Sequence, residues 1–143
     1  MKIIIKRIDK SLPLPAYQTS GSAAFDLYAR ETRIIEPFKP TIIPMNIIVK
    51  IPKGYFLMLC NRSSTPMKKN LIVANGVGVV DRDYCGEEDE IGLQVINFSR
   101  RNVTVEKGER IAQAILVKIA IADKISEVGK MSSNSRGGWG STS

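Results

Sequence analysis

The chain has 143 residues, 43% of them hydrophobic, which is the size and composition of one domain able to bury its own core. It contains no histidine, which excludes a Ser-His-Asp triad, a histidine-ligated zinc and imidazole acid–base chemistry, and leaves carboxylates, cations and backbone groups for any catalysis. The formal net charge of +7 suits an anionic ligand, though solubility alone would also account for it, and the cations are too scattered and too little interleaved with aromatics to make a nucleic-acid stripe.

Residues 2–7 read as a first strand, and their apolar run is far shorter than a signal-peptide core. Nothing in the chain comes near the roughly eighteen apolar residues of a membrane span. The expectation is a soluble protein that stays in the cytoplasm, or in the host cell interior if a virus encodes it, with no membrane partner. Further strands are predicted at 24–28, 32–35, 45–51, 54–59, 72–80, 91–97, 103–105 and 111–121, rich in Val, Ile and Thr and punctuated by Pro13, Pro15, Pro37, Pro40, Pro44 and Pro52. No segment sustains an apolar helical period, so the spacing predicts an all-β sandwich or barrel. Cys60 and Cys85, neither of them in a CxxC pair, read as free thiols in strands or at strand ends.

Several side chains stand out along this path. Asp26 is the odd member of the alternating stretch 23–29, and by itself is an acid at a turn. Arg62-Ser63-Ser64 closes an apolar strand; an arginine fork with serine hydroxyls and main-chain N–H groups can cradle phosphate, and a solvated strand end is the plain alternative. Residues 75–86 are the densest stretch: Asn75-Gly76 signals a hairpin, Val77, Val79 and Val80 suit a pleated buried surface, and Gly76 and Gly78 would let a flat group such as a base edge approach the backbone. Asp81 falls where the apolar run stops, as a candidate general base, although an ordinary hairpin with acidic turn residues fits the same pattern. Gln113 enters a long apolar strand, and Arg110 before it suits either substrate or a structural ion pair, with Asp83 as a possible partner. From Lys130 the composition becomes that of a flexible tail, yet it holds the chain's single Trp, flanked by glycines.

Five stretches occur in the order seen in the trimeric dUTPases, which hydrolyse dUTP to dUMP and pyrophosphate: Ser22-Ala23-Ala24-Phe25-Asp26-Leu27-Tyr28-Ala29, Arg62-Ser63-Ser64, the stretch 75–86, Gly108-Glu109-Arg110-Ile111-Ala112-Gln113, and Arg136-Gly137-Gly138-Trp139-Gly140-Ser141-Thr142. The chain resembles that family over nearly its whole length. The resemblance implies a distorted jelly roll of the β-clip kind with at most one short helix, near 66–71, and a homotrimer with sites shared between subunits. It divides the chain into a β domain, 1–129, and a tail, 130–143, that closes over the active site. It makes Asp81 the residue that holds and deprotonates the attacking water. Asn75 and the backbone at Gly78 would read uracil, while Tyr84 would lie against the sugar and refuse a 2′-hydroxyl. Arg62, Ser63 and Ser64 would meet the phosphates, Gln113 the phosphate chain or its metal-bound water, Asp26 would help orient the site and its hydrated metal without reacting itself, Arg136, Ser141 and Thr142 would take the γ-phosphate, and Trp139 would stack on the base. Mg2+ would be the cofactor, held mainly by substrate phosphates and waters with no direct protein ligand.

Ser64 departs from the family's usual Arg-Ser-Gly, and Arg-Ser-Ser is the form seen in the related dCTP deaminases. Those enzymes use a glutamate three residues before the asparagine that closes the next strand. Here Gln94 stands three before Asn97, and an amide cannot shuttle the proton that deamination requires. The acids 87–90 lengthen this part of the chain by about three residues, and Glu87 or Glu90 is a possible substitute. A deaminase, a bifunctional enzyme or a non-catalytic nucleotide-sensing module are the alternatives.

Overall fold

The computed structural model of the chain describes residues 1–135 and 137–138. Its elements run β1 (Ile4–Arg7), β2 (Phe25–Tyr28), β3 (Arg33–Ile35), β4 (Thr41–Pro44), β5 (Ile47–Lys50), β6 (Tyr55–Asn61), α1 (Thr65–Lys69), β7 (Leu71–Val73), β8 (Gly78–Val80), β9 (Gly92–Asn97), β10 (Val103–Val105) and β11 (Arg110–Lys118). They assemble into a four-stranded sheet in the order β2-β11-β6-β8, a three-stranded sheet β4-β9-β7, and the pairs β1-β5 and β10-β3. The fold is thus all-β with one short helix. The strands pack alternate side chains into a common interior, where Leu27, Ile35, Ile43, Met45, Ile47, Leu57, Leu71, Leu93 and Ile111 are fully buried. No helix among the described residues is long and apolar enough to cross a membrane.

The helix starts after Arg62-Ser63-Ser64 because Pro66 is pre-set for a first turn. It stops at Asn70, whose φ of 53° is left-handed and whose N–H donates to the Pro66 carbonyl at 3.0 Å. Ser64 has φ −85°, an ordinary conformation, so the loop does not need the glycine usual at that position.

Three expectations are corrected. The run 72–80 is two strands, β7 and β8, which join different sheets: β7 pairs with β9 and β8 with β6. The Asn75-Gly76 turn, with Gly76 at φ 77° and its N–H donating to the Val73 carbonyl at 3.1 Å, therefore moves the chain between sheets instead of closing a paired hairpin. Residues 41–44 form a strand despite Pro40 and Pro44, because β4 lies at the edge of its sheet, where a missing N–H is tolerated. The strand expected over 45–51 begins only at Ile47, after Asn46, which is buried with φ 66° and exchanges hydrogen bonds with the Asp9 backbone through its amide.

Candidate active site

The long antiparallel pairing of β6 with β11, and of β11 with β2, sets one group of side chains. Gln113 faces Cys60 on one side and Asp26 on the other, so residues from three strands share a row. A register irregularity between Arg110 and Ala112 adds one residue to that stretch of β11, and Arg110, three before Gln113, comes round to the same face. Asp26 is buried, and its two oxygens are taken by two guanidiniums: Arg62 Nε at 2.9 Å and Arg110 Nη1 at 3.0 Å. Arg62 also donates from Nη1 to the Arg110 carbonyl at 3.1 Å. The expected partnership of Arg110 with Asp83 is thus corrected to Asp26.

Thr65, buried, pins the loop after β6 to β11 by donating to the Ile111 carbonyl at 2.8 Å. Gln113 donates from Nε2 to the Asn61 carbonyl at 3.0 Å, which leaves its amide oxygen free to accept. Arg62, Ser63, Ser64, Gln113 and Asp26 line one cavity of about 330 Å³. Gln18 and Ser22 line it too; Ser22 opens the first family-like stretch but was given no role, and Gln18 was not picked out from the sequence. The cavity offers one guanidinium, from Arg62, together with serine hydroxyls and glutamine amides, donors suited to phosphate oxygens, while its one carboxylate, Asp26, is engaged by arginines.

The second group lies at the far end of the same sheet. Asp81 follows Val80, which faces Leu57 on β6, whereas Arg62 follows Asn61 at the other end of β6. About six residues at roughly 3.3 Å each put the two about 20 Å apart within one chain. Asp81 is exposed and lines a cavity of about 480 Å³ with Tyr84, Glu90 and Gln94, and another of about 370 Å³ with Lys53, Arg82 and Ile119. Tyr84, 43% exposed, donates its hydroxyl to the Glu90 carbonyl at 3.3 Å.

Asn75 is exposed at the sheet-switching turn and is not among the residues lining the cavity that holds Asp81 and Tyr84. Gly78 is buried, and a Cβ there would lie 2.9 Å from Leu59 Cβ, so its missing side chain serves packing. Since β8 ends the order of its sheet, its outer main-chain edge is unpaired by the described strands. Arg136, Trp139, Ser141 and Thr142 lie outside the described residues.

The acidic excursion is occupied structurally. The Glu90 carboxylate accepts from Arg30 Nε at 2.8 and 3.1 Å and from the Asn46 N–H at 2.8 Å, and this holds the Arg30 guanidinium even more firmly charged than usual. Glu87 pairs with Lys6, and Asp89 accepts the Gly86 N–H at 2.6 Å. Neither Glu87 nor Glu90 is thus poised as a deaminase acid. Cys60 and Cys85 are both free and partly exposed.

The dUTPase family model matches residues 10–143. The deoxyuridine 5'-triphosphate nucleotidohydrolase of Hydrogenobaculum sp. (strain Y04AAS1) is 36% identical over 145 residues, covering 99% of this chain and 98% of the relative. That of Nautilia profundicola is 38% identical over 144 residues, covering 99% of each. Among solved structures, the Streptococcus mutans dUTPase superposes with a TM-score of 0.77 at 30% identity, over 84% of this chain and 98% of that one. A Staphylococcus bacteriophage 80alpha dUTPase solved with dUPNHPP superposes with a TM-score of 0.83 at 25% identity, over 99% and 98%. With its fold, its family match and its sequence relatives in agreement over nearly every residue, the chain belongs to the dUTPase family.

Proposed function

We propose that the chain hydrolyses dUTP to dUMP and pyrophosphate by water attack on the α-phosphorus, at sites shared between the subunits of a homotrimer. Such a reaction removes dUTP before polymerases can place uracil in DNA, and it supplies dUMP. The observation that carries the reading is the family match over residues 10–143. A division into a β domain, 1–129, and a closing tail, 130–143, is part of the same proposal, as is action in the cytoplasm, which two unpaired thiols suit.

The two residue groups would act together across a subunit boundary. A separation of about 20 Å is too far for Asp81 to direct water onto a phosphate held by its own Arg62, so one chain would supply Arg62, Ser63, Ser64 and Gln113 and a neighbour Asp81, Tyr84 and the uracil-reading edge. That edge is β8 with Asn75 and the backbone at Gly78. Cytosine there would present a donor where uracil presents an acceptor, and one mispaired buried group costs about 1–3 kcal/mol. Exposed Ile121, Ile125, Val128 and Met131, in a stretch that forms no strand or helix, are the kind of surface a neighbouring copy would cover. The tail of a third chain would then close the site, Arg136, Ser141 and Thr142 on the γ-phosphate and Trp139 on the base.

Asp81 would orient the water and take its proton. A carboxylate is too weak a base to deprotonate water before attack, so proton transfer accompanies formation of the new P–O bond. Arg62, steadied by Asp26, faces the charge that grows on the phosphate oxygens.

The donor set also fits Mg2+. Both Asp26 oxygens are engaged by arginines and the Gln113 amide oxygen is left to accept, so an ion would be held by the substrate's own phosphate oxygens and by waters that Gln113 can accept from. When bound, it supplies charge neutralisation along the triphosphate. Incubating the protein with dUTP, dCTP or UTP plus Mg2+ and resolving the products tests the reading: pyrophosphate and dUMP from dUTP are expected, whereas ammonia from dCTP, or no turnover with tight dUTP binding, would replace it.

A further inference from the structure

Glu90 is the interior member of the acidic excursion. Its side chain is 17% exposed, against 85% for Glu87, so its contacts are far less screened by solvent. Both of its anchors are themselves fixed. The Arg30 N–H donates to the Pro44 carbonyl at 2.8 Å, and Asn46 is buried in the connection between β4 and β5. The next residue continues the attachment, for the Ile91 N–H donates to the Ile47 carbonyl at 2.9 Å and its carbonyl accepts the Met45 N–H at 2.9 Å. The main chain at Glu90 is thereby stitched to a rigid part of the core.

Tyr84 has no comparable hold. At 43% exposure its ring is not fixed by packing, and its hydroxyl reaches the Glu90 carbonyl at 3.3 Å. Glu90, Tyr84 and Asp81 line one cavity. We propose that Glu90 is a positioning residue for Tyr84: its carboxylate, clamped by Arg30 and the Asn46 N–H, fixes the carbonyl that tethers the tyrosine hydroxyl, and so sets the wall that separates deoxyribose from ribose. The inference deepens the proposed role of Tyr84 and rests on it. When the clamp is lost, the 90–91 peptide unit keeps only the Ile91 N–H bond to the Ile47 carbonyl, the Glu90 carbonyl can pivot about that bond, and the tethered ring moves with it, so that room opens beside the sugar for a 2′-hydroxyl.

The test is kcat and KM for dUTP and UTP, with Mg2+, in the full-length chain and in Tyr84→Ala, Tyr84→Phe, Glu90→Ala, Glu90→Gln and Glu88→Gln. Tyr84→Ala is expected to lower the dUTP/UTP ratio of kcat/KM, which tests the role of Tyr84 itself. Glu90→Ala is expected to lower that ratio about tenfold, through a higher KM for dUTP and better use of UTP, with kcat for dUTP within about twofold. Glu90→Gln, whose amide oxygen still accepts, should regain most of the loss, and Glu88→Gln should match the parent. If Tyr84→Ala relaxes the ratio and Glu90→Ala leaves it unchanged, the clamp is overturned while the role of Tyr84 stands. An unchanged ratio in Tyr84→Ala overturns both. Should Glu90→Ala fail to fold, Tyr84→Phe, which removes only the tethering hydroxyl, decides: a relaxed ratio supports the tether and an unchanged one overturns it.

Discussion

Asp26 and Asp81 are both carboxylates in stretches that resemble the family's motifs, and their surroundings divide them. Asp26 is buried between Arg62 and Arg110, whereas Asp81 stands exposed at a strand end beside open space. Asp26→Asn would leave two half-exposed guanidiniums facing a neutral amide, and we expect about 1–3 kcal/mol of destabilisation, read from denaturant midpoints at unchanged slope. Asp81→Asn should instead leave the unfolding midpoint within about 0.5 kcal/mol and retain nucleotide binding, while turnover falls about 10²–10⁴-fold; full activity in that variant would remove Asp81 from the mechanism. The residues of the phosphate cavity were singled out through the family resemblance, because Arg62-Ser63-Ser64 taken alone reads equally as a solvated strand end and Gln113 as simple strand packing. The partner of Arg110 was not readable, since it depends on a one-residue irregularity in β11 that no local pattern signals.

At the scale of elements, the β-branched run around residues 72–80 revealed strand and turn but not which sheet each half would join. Short apolar runs look alike whether they pair with each other or with distant strands. Gly78 is where the difference is felt. With Leu59 Cβ 2.9 Å from where its own Cβ would sit, Gly78→Ala should cost about 1–3 kcal/mol in thermal or chemical unfolding, because the obstructing atom is fixed to the backbone of β6. A second prediction concerns the joint between the N-terminal loop and the turn before β11. There Lys107 and Ser11 hold the Asp9 carboxyl well below the usual carboxylate range. A depressed folded-state value means that stability from this joint is fully present above about pH 4 and is lost as pH falls below it. Unfolding followed between pH 5 and 2 should therefore show a shallower acid decline in Asp9→Asn than in the parent chain.

For the whole molecule, an all-β domain was legible from strand-length runs and proline spacing, but assembly was not, because nothing in a chain's own periodicity records a neighbour's residues. The distance between Arg62 and Asp81 turns that gap into a test. Chains carrying Arg62→Ala and chains carrying Asp81→Asn should each be inactive alone. Mixed under subunit exchange, they should recover roughly a quarter of parental activity, since a site is intact only when both contributing chains are the right ones, each about half the time. Continued inactivity of the mixture, with exchange verified by mass, would place both residues in one chain's site.

The carboxylate between two guanidiniums also bears on how the cycle ends. Two unopposed cations would grip a departing diphosphate about as firmly as the arriving triphosphate, and clearance of the cavity would limit throughput. With Asp26 between them, the two guanidiniums and the carboxylate carry a single net positive charge, which would hold a released anion more weakly than two unopposed cations. Asp26 would then act as an electrostatic brake on product retention, and the same Asp26→Asn chain should be the more sensitive to inhibition by added pyrophosphate.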